Sequence, residues 1–438
     1  MKARFGLALR GGLLGVFLVA LLAFFSAAGK SDSLRAGVAK AEITPKEATP
    51  LWGYKTRGAA FSEGKSDPLY AVCLVLEFRG ERIAIVTLDL GRTPSERVLT
   101  SIRRRLQKEV RIETSFVMAS HTHHGPVMEF SRGEGRGEGR FDASLRYYRW
   151  LEDEIVRCAA AANRNLQPAT LFAGASRLKD FNFNRQTILN PTSDDDLTVL
   201  RVDAPQGKTL ALLVNFAAHP VLTPETTRMF SADFVGHMKK AIERDTGAVA
   251  LFAQGAAGDQ SANDTGAGAV EYGERLAKEA LKLAMSLEPW QPSRGGIESK
   301  EQTFRFQSRI DLSDAKVRKA QNEVYYPELV QNYADEYSDG IRPRLSVATL
   351  GSNLAFVGVS GEFFSDHALR LKQRLPGVLT FFFGYCNGYH QYFPTIEAAA
   401  KGGYGTDPAS APAALGSGEA MMNTALIWIY EMLKASDQ

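Results

Sequence analysis

The 438-residue chain is 45% apolar and 23% charged, which suits one large α/β domain or two ordinary ones and excludes a disordered chain. Its formal charge of +3 comes from the first 29 residues, where Lys2, Arg4 and Arg10 stand without an acid; the neutral remainder argues against nucleic acid as a partner. Cys73, Cys158 and Cys386 are odd in number and widely spaced, so they exclude a disulfide framework and, without a CxxC pair, give no support to a thiolate zinc site.

In chain order, the first element is an export signal. The basic start is followed by an uncharged apolar run, Gly11–Phe25, and then by Ser26-Ala27-Ala28-Gly29, small residues suited to cleavage. The expectation is a signal peptide over 1–29, with an uncleaved anchor as the alternative, and one catalytic domain over 30–438. Either way the body of the chain is expected to be exported, periplasmic or secreted. No Cys follows the apolar run, which argues against a bacterial-type lipid anchor.

Six short apolar runs predict buried strands: Arg82–Leu88, Ser115–Ala119, Ala211–Ala218, Val249–Ala253, Leu354–Val359 and Val378–Phe383. Helical periodicity predicts helices over Pro94–Val110, Ala143–Ala162, Asp233–Arg244 and Val270–Leu287. Alternating strands and helices imply an α/β fold with a mixed, largely parallel sheet and flanking helices. No solenoid-type repeat is visible. The glycine-rich segment Ser131–Arg140 reads as a solvated loop or a flap beside a site, Ala398–Gly418 as a loop, and Pro289–Asp314 as a connection between two halves of the sheet.

Each predicted strand leads to residues with chemistry: Asp89; Ser120 with three histidines; His219; Asp259 and Ser261; Glu362; and Asn387, Tyr389 and Tyr392. Ligands collect at the carboxyl ends of strands in open α/β sheets, so one shared active site is expected there. In His121-Thr122-His123-His124, extended backbone would turn His121 and His123 to one side and His124 to the other. Imidazole suits zinc, and catalytic zinc uses about three protein ligands. His219, braced by Pro220, is a further candidate. Glu362 reads as a ligand, a general base, or an acid at the N-terminus of a helix over Phe363–Leu375. The small-residue loop Gly255–Ser261 permits close approach of backbone to substrate, but it lacks the spacing of a P-loop or a GxSxG elbow.

Taken in order, these segments resemble the catalytic domain of the neutral (non-lysosomal) ceramidase family. His121–Pro126 resembles the family's HTHSGP, Asn184-Arg185 its NRS, Asn215–Pro220 its FAxHP, Ser231-Ala232-Asp233 its S-x-D, Gly258–Ser261 its GDVS, Gly361-Glu362-Phe363 its GEF, and Asn387–Tyr392 its NxYxxY, with Tyr404 beyond. The resemblance implies a zinc amidohydrolase acting on an N-acyl lipid such as ceramide. It implies His121, His219, Glu362 and Tyr392 as zinc ligands, His123 as an acid/base residue in place of the first i, i+2 reading, and Arg185 and Tyr404 as contacts to the reacting group. Ser261 matches a serine that meets substrate or water. A second ion, a structural Ca2+ or Mg2+ near Asp89 or Asp233, stays open.

The chain departs from the family at HGPVM after the HTH and at Pro394–Tyr404, and the expectation is a catalytic domain without the long C-terminal β-sandwich domain common in the family. The alternatives are therefore a zinc esterase or deacylase acting on envelope glycans or small amides, and a non-catalytic lipid- or metal-binding relative. The implied partners are a lipid or small-molecule substrate and peripheral contact with a membrane; no protein partner is implied.

Overall fold

The computed structural model describes Met1 and residues 33–128, 141–186, 191–291 and 295–435. The expected signal segment, apart from Met1, and the glycine-rich stretch 131–140 lie outside the described residues.

Three sheets are built on one plan. In the first, β1 (Arg35–Glu42), β2 (Tyr70–Phe78) and β3 (Glu81–Leu88) run antiparallel in turn. The chain then crosses through α1 (Glu96–Arg105) to β4 (Thr114–Ala119), parallel to β3. The second repeats this with β5 (Thr170–Arg177), β6 (Asp196–Asp203) and β7 (Thr209–Phe216) antiparallel, α3 (Asp233–Thr246) as the crossover, and β8 (Val249–Gln254) parallel to β7. The third has β9 (Ile297–Thr303), β10 (Arg344–Leu350) and β11 (Leu354–Val359), crossover α5 (Ser365–Gln373), and β12 (Leu379–Phe383) parallel to β11. Each parallel strand leads on to a further helix: α2 (Asp142–Arg164), α4 (Gly268–Ser286) and α6 (Ser417–Ala435).

One core joins the three inner faces, mixing Leu74 and Phe116 of the first sheet, Leu200 and Leu251 of the second, and Phe356 and Phe383 of the third. Phe116, Phe356 and Phe383 meet there at ring-centroid distances of 5.6 to 6.3 Å. Burying each such ring contributes on the order of 2–3 kcal/mol. Each outer face is covered by the helices of its own unit, as where Val98 and Leu151 pack with Val86, Phe234 and Leu276 with Phe252, and Leu371 and Met421 with Val357.

The sheets are thus mixed, with two or three antiparallel pairings for each parallel one, and not largely parallel as the sequence suggested. The six expected strands are the inner parallel pairs, which are sealed on both faces and read as continuous apolar runs. The outer antiparallel strands are harder to read: β9 is IESKEQT, exposed along most of its length, and it lies inside the stretch taken for a connection. The histidine segment is not extended either, because β4 ends at Ala119 and His121 has φ +69°.

Backbone bonds between units close the ring at the carboxyl ends of the parallel strands. Ala119 N donates to Tyr385 O (3.2 Å), Gly384 N to Gln254 O (2.9 Å), and the Gln254 side chain to Ser120 O (3.3 Å). The chain ends of all three units are thereby held around one point.

Candidate metal centre and its cavity

Two imidazoles face that point in the same state. His121 Nδ1 lies 2.7 Å from Gly91 O, and His219 Nδ1 lies 2.7 Å from Ala257 O. A carbonyl only accepts, so each Nδ1 carries the proton and each Nε2 turns a lone pair inward. Both inward nitrogens meet the same atom, Glu362 Oε2, at 3.4 and 3.2 Å. Burial, followed by the charge of Arg185, lowers the His219 pKa to about 3, which keeps its ring neutral. Three electron-rich atoms thus converge.

Glu362 is held by tyrosines. Tyr389 donates to Oε1 at 2.6 Å and Tyr385 to Oε2 at 3.3 Å. The carboxylate sits in a two-residue strand, Glu362–Phe363, paired parallel with Tyr392–Phe393, which sets Glu362 beside Tyr392. It is not a helix-terminal acid, because α5 begins only at Ser365. Gly258 serves this packing: a Cβ there would lie 2.3 Å from Glu362 O, so the small residue admits neighbouring backbone.

His123 differs from the other two. Both its ring nitrogens are buried without a hydrogen-bond partner, and the ring is packed by Trp52 and Tyr54 at 5.2 and 4.9 Å. Gly53 makes that packing possible, since a Cβ would fall 2.5 Å from His123 Cγ. The Arg57 guanidinium donates to the carbonyls of both Trp52 and His123, tying the two segments together. Among the described residues, the ligand atoms of His121, His123 and His219 lie within 4.8 Å of one another, a group able to hold a metal ion. His124 belongs elsewhere, with Nε2 3.2 Å from Pro224 O and its backbone bridged to Ser231.

A chain of donors borders the centre. Arg185 Nη2 donates to Gly258 O at 2.7 Å and lies 3.2 Å from His219 Nε2, while Nη1 donates to the Tyr404 hydroxyl at 3.0 Å. Tyr404 OH is 3.1 Å from Tyr392 OH and is 45% exposed. Asp259 anchors this side, accepting from Asn184 Nδ2 and Ser365 N (2.7 Å each), while its carbonyl accepts from Arg185 N. Ser261 is close only through backbone, by a bridge to His219, and does not line the cavity. Asp89 is occupied by the Lys239 ammonium at 2.5 Å, and the Asp233 carboxylate accepts from Thr223 N and Phe234 N. Both carboxylates thus have partners within the chain.

The centre opens into a cavity of about 420 Å3, within the usual size of a small-molecule site. Its floor is His121, His123, Glu362, Tyr389 and Tyr392, and Tyr404 stands at its mouth. Its apolar wall is Val324, Tyr325, Tyr326, Leu329 and Tyr333, from a helical hairpin formed by Ala315–Val324 and Pro327–Glu336. Sequence reasoning missed Trp52, Tyr54, Arg57, Gly91, the hairpin, and Tyr385 and Tyr389 as braces of Glu362. A signal for the braces existed: three tyrosines fall within the eight residues 385–392.

The model of the family described as neutral/alkaline non-lysosomal ceramidase, N-terminal, matches residues 34–332. This chain belongs to that family. It is similar to neutral ceramidase of Pseudomonas aeruginosa, 25% identical over 384 residues, covering 79% of this chain and 53% of that protein. Neutral ceramidase B of Dictyostelium discoideum is 27% identical over 168 residues, 34% of this chain and 23% of that one. The chain therefore spans about half the length of the Pseudomonas relative. In structure it resembles the crystal structure of that neutral ceramidase, with a TM-score of 0.75 at 21% identity over 92% of this chain and 75% of that one. It also resembles a ceramidase complexed with C2, with a TM-score of 0.72 at 20% identity and coverages of 92% and 76%. At these identities the structural likeness speaks for the fold.

Proposed function

We propose that the chain is a zinc-dependent hydrolase that cleaves the amide bond of an N-acyl lipid such as ceramide, giving a fatty acid and an amine. The observation that carries this is the convergence of His121 Nε2, His219 Nε2 and Glu362 Oε2 with both imidazole protons on the far nitrogens. Three acceptor atoms facing one another, none carrying a proton of its own, suit a cation, and the nitrogen and oxygen set suits zinc. His121, His219, Glu362 and Tyr392 would hold the ion. Burial, followed by the facing Glu362, raises the Tyr392 phenol well above its ordinary pKa, and a cation reverses that preference. His123 is assigned to proton transfer because neither nitrogen is anchored, whereas ligand imidazoles are oriented by their second nitrogen.

Zinc held there supplies a Lewis acid for the amide carbonyl and a source of nucleophilic water at neutral pH. The side chains do the rest. His123 takes the proton as water attacks the carbonyl carbon and delivers it to the leaving nitrogen when the C–N bond breaks. Arg185 and Tyr404 donate to the oxyanion, each worth on the order of 3 kcal/mol. The donor chain Arg185–Tyr404–Tyr392 is already assembled along this side of the centre. Ser261 is retained only as a residue behind His219. The reading takes 1–29 as an export signal, 30–438 as one catalytic domain, and contact with a membrane surface as the route to the substrate.

The test is metal analysis coupled to product release. The purified chain should carry zinc near one equivalent and release fatty acid from a fluorescent ceramide. Turnover of p-nitrophenyl esters or N-acetyl sugars by a zinc-loaded protein inert to every N-acyl lipid would replace the substrate assignment with the esterase or deacylase reading.

A further inference from the structure

Arg92 is a buried cation that the proposed reaction does not use. Other buried cations join helices to strand ends: Lys239 of α3 meets Asp89 after β3, and Lys372 of α5 meets Asp194 and Asp196 where β6 begins. Arg92 stands against an aromatic ring, with its guanidinium carbon 4.9 Å from the centre of the Tyr389 ring. Its Nη2 donates to Glu336 Oε1 at 3.3 Å, and the two side chains of that pair are 2% and 13% exposed. A buried ion pair is weak evidence of stabilisation, because desolvation offsets the attraction, so its value is to be sought in the geometry it fixes.

The turn that carries Arg92 already serves the metal centre. Leu90 O accepts from His121 N at 2.9 Å, and Gly91 O accepts from His121 Nδ1 at 2.7 Å. Gly91 also admits the Trp52 ring, since a Cβ there would fall 2.2 Å from Trp52 Cε3. Trp52 in turn meets the Tyr389 ring edge-on at 6.0 Å, and Tyr385 stacks beside it at 6.5 Å. The Tyr389 hydroxyl, 2.6 Å from Glu362 Oε1, is therefore aimed by Trp52, Tyr385 and Arg92 together. The cation adds what apolar packing lacks. It is attracted to the ring face and polarises the ring, which makes the phenol a stronger donor to the carboxylate. Glu336 ends the helix Pro327–Glu336, whose Leu329 and Tyr333 form part of the cavity wall, so the guanidinium is tied to the hairpin on its other side.

We infer that Arg92 is a positioning residue of the metal centre: held by Glu336, it keeps the Tyr389 ring turned so that the hydroxyl stays on Glu362 and the carboxylate stays presented to the ion. The inference rests on the zinc-hydrolase reading above. Arg92 does not line the cavity, and it acts through Tyr389.

The experiment measures zinc affinity by chelator competition on the full chain for wild type, Arg92→Met, Tyr389→Phe and the double variant, with folding checked by circular dichroism. Arg92→Met should bind zinc about 10-fold more weakly, the lower end of what support of a metal ligand is worth. In the Tyr389→Phe background the same change should cost less than about twofold, because the hydroxyl it positions is already gone. A general loss of stability would not give that result, since independent losses multiply. Arg92→Met leaves the Glu336 carboxylate enclosed without this partner, so the paired replacement Arg92→Met with Glu336→Met is carried through the same cycle and decides the matter if the single variant does not fold. Zinc affinity kept within about twofold of wild type, or a full loss repeated in the Tyr389→Phe background, overturns the inference and leaves the hydrolase reading standing. A folded wild type that binds no zinc overturns the zinc reading and the inference with it.

Discussion

The floor of the cavity and its mouth are built by opposite rules. At the floor, His121 and Glu362, with His219 buried behind them, are each fixed by a second contact, to Gly91 O, to the Tyr389 and Tyr385 hydroxyls, and to Ala257 O. These partners come from the strand ends of all three units, so the floor inherits the rigidity of the whole core. At the mouth, Tyr404 is 45% exposed, and the apolar wall is supplied by a hairpin inserted between β9 and β10. The difference separates two jobs. The floor can hold one ion in one geometry whatever the substrate, while the mouth can change without disturbing it.

The strongest way to break that division is to remove a floor ligand. His219→Ala should abolish stoichiometric zinc and lower kcat/KM by roughly three orders of magnitude or more, with the fold retained by circular dichroism. His121→Ala should match it. Zinc still bound stoichiometrically by either variant would show that the floor is not the metal centre. Next in size is Arg185→Met. Its guanidinium is placed to donate, and not to bind metal, so zinc should stay while kcat falls about 100- to 1000-fold. Loss of zinc together with activity would move Arg185 into the floor.

The same division explains what the sequence disclosed. The β3–β4, β7–β8 and β11–β12 pairs were legible because both faces are buried, and so were their carboxyl-end residues His121, His219 and Glu362. The sheets' true mixed order was hidden, because strands such as β9 and β1 are half exposed and short of apolar runs. The threefold plan was hidden as well: it lies in connectivity, while the residues at corresponding strand ends differ, with Asp89, Ala217 and Ser360 following β3, β7 and β11. Trp52, Tyr54 and Arg57 reach His123 from some 70 residues away, a proximity that only the folded chain creates.

Tyr389→Phe sharpens the comparison at smaller scale. It removes one hydroxyl, the 2.6 Å donor to Glu362 Oε1, from a residue that is also part of the cavity lining. Support of this kind is typically worth 10- to 100-fold in metal affinity or activity. The variant should therefore bind zinc about 10- to 100-fold more weakly in a chelator competition, with activity recovered by added zinc. Unchanged affinity would mean that the carboxylate is positioned by its backbone pairing alone.

The smallest effect on activity is expected at His124, next in sequence to His123 yet bound outside the cavity, to Pro224 O. Burial, then the charge of Arg57, lowers its pKa to about 4 in the folded chain, against about 6.5 when unfolded. Between those values the unfolded chain takes up a proton that the folded chain does not. The stabilisation is therefore fully present above about pH 6.5 and is lost as the pH falls towards 4, by at most about 3 kcal/mol. His124→Gln keeps a donor for Pro224 O and removes the titration. Its melting temperature should fall less than that of wild type between pH 7 and 4, while kcat/KM at pH 7 stays within about threefold. Buried His123, His367 and His390 are shifted the same way, so wild type should remain acid-labile in part even after the change. If His124→Gln instead loses activity on the scale of His219→Ala, the third histidine belongs to the floor, and sequence adjacency, not the direction of the ring, marks the edge of the site.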